Sequence, residues 1–458
     1  MAVDLVIRNA RHLYLDRGSE ISGGWIAVHG GRVHSAGSSA TEPPPAVRVI
    51  DAGGRLVTPG LVNTHHHMFQ NLTRSFGPAV NGTLFQWLTT LYPMWAGLDE
   101  EAAYVSAYVG MAELLLGGCT TSTDHWYVHP AAKLIDGEIA AAREIGFRFL
   151  PTRGSMSRSQ DDGYLPPRSV VQTADEILED SERLIRTHHD ASPGALVRVG
   201  LGPCSPFTVD DDLMRESAAM AERFDVRLHT HLAEDVDEED FCQQMYGRSA
   251  VEHFEDVGWA TDRTWVAHFA YPSDDEKARM ARAGVGVAHC PSSNMLICGA
   301  TADVTGLREL GAPVGLGCDG SASTDHASMW MEARTALLLA RFLGGPQAMT
   351  ARDAIDIGTR GSAACLGWDD EIGHLSVGAL ADLVIWEMDP ISSAGGWSDP
   401  VEALLRCAPA KAWSTIVGGR VLVDAGEVRL GGLTDALRSH ERIARRLQRI
   451  GEAQVAGL

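Results

Sequence analysis

The residues best suited to bind a metal ion or move protons gather in five short segments. These are His65-His66-His67, His229-Thr230-His231-Leu232-Ala233-Glu234, His268, the run from His289 to Asn294, and Asp319-Gly320-Ser321. Side chains two apart on a strand point to the same side. His65 and His67 can therefore face one space while His66 faces elsewhere, and a histidine of the second segment can join them with a carboxylate three residues on. Taken alone, the first pair reads equally well as a polar loop cluster. Four apolar runs ending in His and one in Asp are not explained by core packing, because His and Asp are seldom buried without partners. Three imidazoles and a carboxylate are a normal ligand set for a divalent zinc or iron ion that keeps a position open for water.

Eight short β-branched or apolar runs must carry these groups. They end at Leu61–His65, Cys119–Asp124, Phe147–Thr152, Val197–Pro203, Val226–His231, Thr264–His268, Val285–Cys290 and Val314–Asp319, and a stretch of helical periodicity follows each. Strands alternating with helices predict a parallel sheet covered by helices. Eight such units over some 300 residues fit an α/β fold of the (β/α)8 TIM-type barrel class. The unusual polar residues then fall at strand C-terminal ends, the face on which barrel enzymes build active sites.

The two chain ends read differently. Asp4–Ala10, Gly24–Val33, Ala381–Trp386 and Trp413–Val423 are short strand patterns, and Gly-Gly-Arg-Val occurs at both 30–33 and 418–421. This predicts a small composite β-sandwich domain from residues 1–59 and 372–431, around a barrel of residues 60–371. An arginine-rich surface helix is expected within the C-terminal segment, residues 432–458.

Composition removes several classes of function. Hydrophobic residues at 45% and charged residues at 21% indicate a globular chain with a sizeable core, not a disordered or fibrous one. A formal charge of −22 repels nucleic acid and anionic lipid, leaving a free base or nucleoside open as substrate. No apolar run approaches the roughly 20 residues of a membrane span. Asp4, Arg8, Arg11 and His12 interrupt what would be a signal peptide, so a cytoplasmic location is expected. The eight scattered cysteines read as reduced thiols.

Four segments together resemble the amidohydrolase superfamily over essentially the whole chain. They are Pro59–His67, His231–Glu234, His289–Met295 and Asp319–Ser321. The branch they resemble contains the cytosine, guanine and S-adenosylhomocysteine deaminases and the triazine hydrolases. That resemblance implies one divalent metal ion, zinc first with iron or manganese as alternatives, held by His65, His67, His231 and Asp319. It implies Glu234 as proton shuttle to a ring nitrogen, His268 as the group orienting water or substrate, and Asp319 as acceptor of a proton from water. His289 and Asn294 either line the pocket or hold their loop. Relatives with two metals carry a carboxylated lysine at the end of strand four, but this strand ends Gly202-Pro203-Cys204-Ser205 with no lysine near, so a single metal is expected. Some triazine hydrolases lack the strand-eight aspartate, and Asp319 favours deamination over dechlorination.

Substrate contacts are expected from four residues. Gln70 stands where guanine deaminases carry a base-binding glutamine, and a primary amide both donates and accepts, as an oxopurine edge requires. His268, Asn294 and Trp126 are the others. The stretch from Met68 to Asp99 holds Phe69, Phe76, Phe85, Trp87, Tyr92 and Trp95, which suit either a lid over a flat aromatic substrate or the loop's own small core. The segments His66–Gln70, Leu91–Leu98, Cys119–His125 and Asp319–Ser323 resemble, within the branch, those of oxopurine deaminases, and that resemblance implies hydrolytic deamination of an amino-substituted oxopurine such as 8-oxoguanine. Aminohydrolases of pterins (isoxanthopterin), guanine, cytosine or hydroxylated aminotriazines remain alternatives. A non-catalytic barrel is a remote one, because every ligand and the acid are present. A homo-oligomer is implied only by analogy with the family.

Overall fold

The computed structural model describes residues 2–407 and 409–457. Met1 and Leu458, the outer limits of the expected domains, and Ala408 lie outside the described residues. Eight parallel strands close into a barrel in chain order: Leu61–Asn63, Cys119–Trp126, Arg148–Ser155, Gly200–Pro203, Leu228–Leu232, Thr264–His268, Gly286–His289 and Val314–Leu316. Each coincides with one of the eight runs read from the sequence. Every residue of the eight is buried, as a parallel sheet covered on both faces requires. At the C-terminal mouth the first and last strands are prolonged by a second two-residue ladder, His66–His67 beside Asp319–Gly320. That ladder holds two of the expected ligand segments in register.

Strands from both chain ends form one nine-stranded sheet, joined where Leu56–Pro59 pairs antiparallel with Leu383–Glu387. Leu5, Ile7, Ile26, Leu383, Ile385 and Ile416 fill its core. The repeated Gly-Gly-Arg-Val runs are two hairpin turns of the same kind. Gly30 and Gly31 (φ 59° and 73°) and Gly418 and Gly419 (φ 53° and 79°) all occupy the left-handed region that such two-residue turns demand. The turns meet: the Ala381 amide donates to the Gly31 carbonyl and its carbonyl accepts from Gly419.

The C-terminal helix, Leu433–Gly457, buries Ile443 and Leu447 and clamps the segment after barrel strand one. The His440 side chain bonds Asn71 Oδ1 at 2.8 Å, and Arg446 bonds the Gly97 carbonyl and pairs with Asp99. Among the described residues, no helix is long and apolar enough to cross a membrane.

Candidate active site

Hydrogen bonds behind the histidines determine which nitrogen carries each proton. His229 Nδ1 lies 2.9 Å from the Trp265 carbonyl, which only accepts, so His229 keeps its proton there and offers the Nε2 lone pair to His65 Nδ1 at 2.7 Å. His65 Nε2 is left unprotonated, buried and without a hydrogen-bond partner. His67 Nδ1 donates to the His125 carbonyl and His231 Nδ1 to the Cys204 carbonyl, each at 2.7 Å. Burial holds the His65 and His231 rings well below the usual imidazole range, so both are neutral.

The lone pairs left over converge. His67 Nε2 and His231 Nε2 are 3.2 Å apart, and Asp319 Oδ1 lies 3.3 Å from His65 Nε2 and 3.2 Å from His67 Nε2. Lone pairs and a carboxylate at such distances repel one another unless they share a cation, and each ring is oriented by a partner behind it, as metal-binding histidines are. The donor set therefore fits a divalent ion. The other oxygen of Asp319 accepts from two hydroxyls, Ser293 at 2.5 Å and Ser323 at 2.8 Å, which turns Oδ1 toward the rings.

Two more imidazoles belong to this cluster and were not among the ligands expected from sequence. His125 donates from Nε2 to the Gly202 carbonyl at 2.7 Å, leaving its buried Nδ1 unpaired within reach of His65, His67 and His231. His229 acts behind His65. Strand parity was the available signal for both, since His229 stands two before His231 and His125 lies on the barrel strand next to His65.

Glu234 follows strand five and is 4% exposed. Burial, with Asp319 and Glu238 nearby, pushes its carboxyl well above the usual range, which favours the protonated form that a general acid needs. Its Oε1 faces His268 Nε2 at 3.4 Å and Cys298 Sγ at 3.6 Å, and its backbone amide donates to Glu238 at 2.7 Å. Ala233, His268, Phe269 and Asp319 all have φ between 50° and 70°. Four non-glycine residues in this left-handed region at strand ends mark local backbone strain concentrated around the cluster.

The cleft above is lined by His67, Gln70, Tyr127, His231, Glu234 and Asp319, with Leu84, Trp87, Leu88, Tyr92, Phe207 and Ile297 as apolar walls. Gln70 packs over Gly320, where a Cβ would fall 1.8 Å from its Oε1, and its amide nitrogen is 3.4 Å from the Tyr127 hydroxyl. Trp126 does not line the cleft: its indole donates to the Val128 carbonyl and its ring packs against Phe69. Tyr127 takes that place, perpendicular to the His67 ring at 4.9 Å. Asn294 is fully buried beside His268 and does not line the cleft either. His289 faces a different cavity. The aromatic segment divides, with Trp87 and Tyr92 in the wall and Phe69 and Trp95 in a core behind it.

Residues 56–422 match the model of the amidohydrolase family. The chain is 44% identical to the 8-oxoguanine deaminase of Pseudomonas aeruginosa over 96% of its own length and 98% of that protein's. It is 34% identical to an isoxanthopterin deaminase of an unidentified prokaryote, over 82% and 81% of the two chains. The atrazine chlorohydrolase of Arthrobacter aurescens TC1, solved in complex with zinc, superposes with a TM-score of 0.91 at 29% identity, covering 96% of this chain and all of that one. With the barrel, the converging imidazoles and these matches together, the chain belongs to the amidohydrolase family.

Proposed function

We propose that the protein is a zinc-dependent hydrolase that deaminates an amino-substituted oxopurine, converting 8-oxoguanine and water to urate and ammonia. The observation that carries this reading is one cleft holding both a set of pre-oriented ligand atoms and a buried carboxyl, Glu234, beside them. The 8-oxoguanine deaminase relative and the zinc in the structural neighbour support the choice of substrate and ion.

His65, His67, His231 and Asp319 hold the ion. A divalent metal bound there lowers the pKa of a water ligand from near 16 to about 7. Gln70, paired with Tyr127, grips the oxo edge of the base, and Trp87 and Tyr92 cover its face. Asp319 takes a proton from the attacking water as its oxygen bonds to the ring carbon that carries the amino group. Glu234 protonates the adjacent ring nitrogen, recovers a proton from the new hydroxyl as the C=O forms and passes it to the departing amine; the C–N bond breaks to release ammonia, and the proton held by Asp319 restores Glu234. His268 orients the water or the base from beside Glu234, with Asn294 buried close by. Trp126 supports the wall through Phe69 without touching substrate.

All eight cysteines are unpaired, which suits a reducing compartment, and we place the enzyme in the cytoplasm. Stripping the metal and restoring it tests the reading. Urate formation from 8-oxoguanine should vanish with chelation and return with zinc, and a metal-free protein of full activity would overturn it.

A further inference from the structure

A second cavity, of about 320 Å³, lies between barrel strand seven and the helix Met329–Gly344, and shares no lining residue with the active-site cleft. Ala336, Leu339, Ala340 and Leu343 of that helix form an apolar wall, with Ala302 and Val304 opposite. Leu343 is 63% exposed and marks the mouth. At a share of roughly 30 Å³ per water, the space holds on the order of ten waters or a small organic molecule.

Four polar side chains, His289, Thr301, Asp303 and Thr305, break the apolar lining, and two of them, His289 at Nδ1 and Thr301, find no protein partner. His289 is 2% exposed with Nδ1 unpaired, and the Thr301 hydroxyl is buried and unpaired. Burying polar groups without a partner is unfavourable, and two of them on one cavity call for a common partner. His289 is neutral, held down to about 3 by burial and by His268, and so presents one N–H and one lone pair. Among the described lining residues Asp303 alone carries a charge, and Lys277 at 3.0 Å and the Gly306 amide at 2.9 Å engage it. An ionic ligand would find no counter-charge. A neutral molecule with an apolar body and one hydroxyl or amide group matches both the wall and the orphaned pair.

We propose that this cavity is a binding site for a small, neutral, amphipathic molecule, anchored by His289 and Thr301 and seated against the helix Met329–Gly344. The site stands next to the catalytic machinery without belonging to it. Glu332, one turn before Ala336, accepts from the Ser292 amide, and the adjacent Ser293 hydroxyl bonds Asp319.

Phenol is the probe, with toluene as its apolar counterpart of the same shape. Calorimetric titration of the zinc-loaded protein should give one saturable equivalent of phenol that is lost in Ala340→Phe, which fills the mouth. Toluene should bind about fivefold more weakly than phenol, as one hydrogen bond dictates, and His289→Phe should erase that difference. Crystals soaked in phenol should show it at His289, which locates the site even if one variant folds poorly. Phenol found only in the active-site cleft, ordered waters alone in this cavity at saturating phenol, or an unchanged isotherm in Ala340→Phe would each overturn the proposal.

Discussion

His229 Nε2 lies 2.7 Å from His65 Nδ1, and the carbonyl of Trp265 on the far side of His229 fixes the direction of that hydrogen bond. A histidine that touches no substrate thereby decides that His65 presents a lone pair, not an N–H, to the cluster. Replacing His229 with Ala should weaken zinc binding by about 10- to 100-fold, the usual cost of removing a partner behind a ligand. Competition with a chromogenic chelator measures it. Unaltered zinc affinity would assign His229 to packing alone.

Glu234→Gln should lower kcat by about 10²- to 10⁴-fold, the range of a positioned general acid, while zinc content stays at one equivalent. The amide keeps the contacts to His268 and Cys298 but carries no transferable proton. Metal analysis alongside steady-state rates separates loss of chemistry from loss of the ion.

Gln70→Leu should reduce kcat/KM for an oxopurine by about 10- to 100-fold, because a polar edge then enters the cleft without its partner. The Tyr127→Phe variant should act in the same direction and more weakly, since the Tyr127 hydroxyl accepts from the Gln70 amide at 3.4 Å and helps to hold it. Rates on a panel of bases lacking the oxo group should change little in either.

Asp124 and Glu138 form a buried acid pair behind the cluster. Burial raises Asp124 to about 7 and Glu138 well above the usual range, and Asp124 Oδ1 accepts from the Met68 amide at 2.6 Å. Acids raised on folding bind protons in the native state that the unfolded chain has already released. Their effect on stability is therefore absent below about pH 4 and grows unfavourable as pH rises toward 7. In the zinc-saturated protein, the urea midpoint of wild type should fall between pH 5 and 7 relative to that of Glu138→Gln. Parallel pH profiles would show that the pair does not share a proton.

Much of this was legible in the sequence because barrel strands announce themselves as apolar runs and their ends as misplaced polar residues. His65, His67, His231, Glu234, His268 and Asp319 stood out for that reason, and all six meet in one cluster. Trp126 stands out in the sequence only as an aromatic residue next to His125, but alternation on the strand Cys119–Trp126 turns His125 into the cluster and Trp126 back toward Phe69, and Tyr127, just past the strand, lines the cleft. Long-range choices were not readable. The Trp265 carbonyl that sets the tautomer of His229, the second cavity that receives His289, and the left-handed φ at Asp319 depend on contacts between segments far apart in the chain. The repeated Gly-Gly-Arg-Val was visible as a pattern, whereas the meeting of its two turns across Ala381 needed the folded sheet.

The central claim is tested most directly by ammonia release from zinc-loaded protein across 8-oxoguanine, guanine, isoxanthopterin, cytosine and hydroxylated aminotriazines. The account predicts the highest kcat/KM on 8-oxoguanine, with urate as the product. Turnover of a pterin or triazine with none of any purine would contradict the substrate, and no ammonia from any of them would contradict the chemistry.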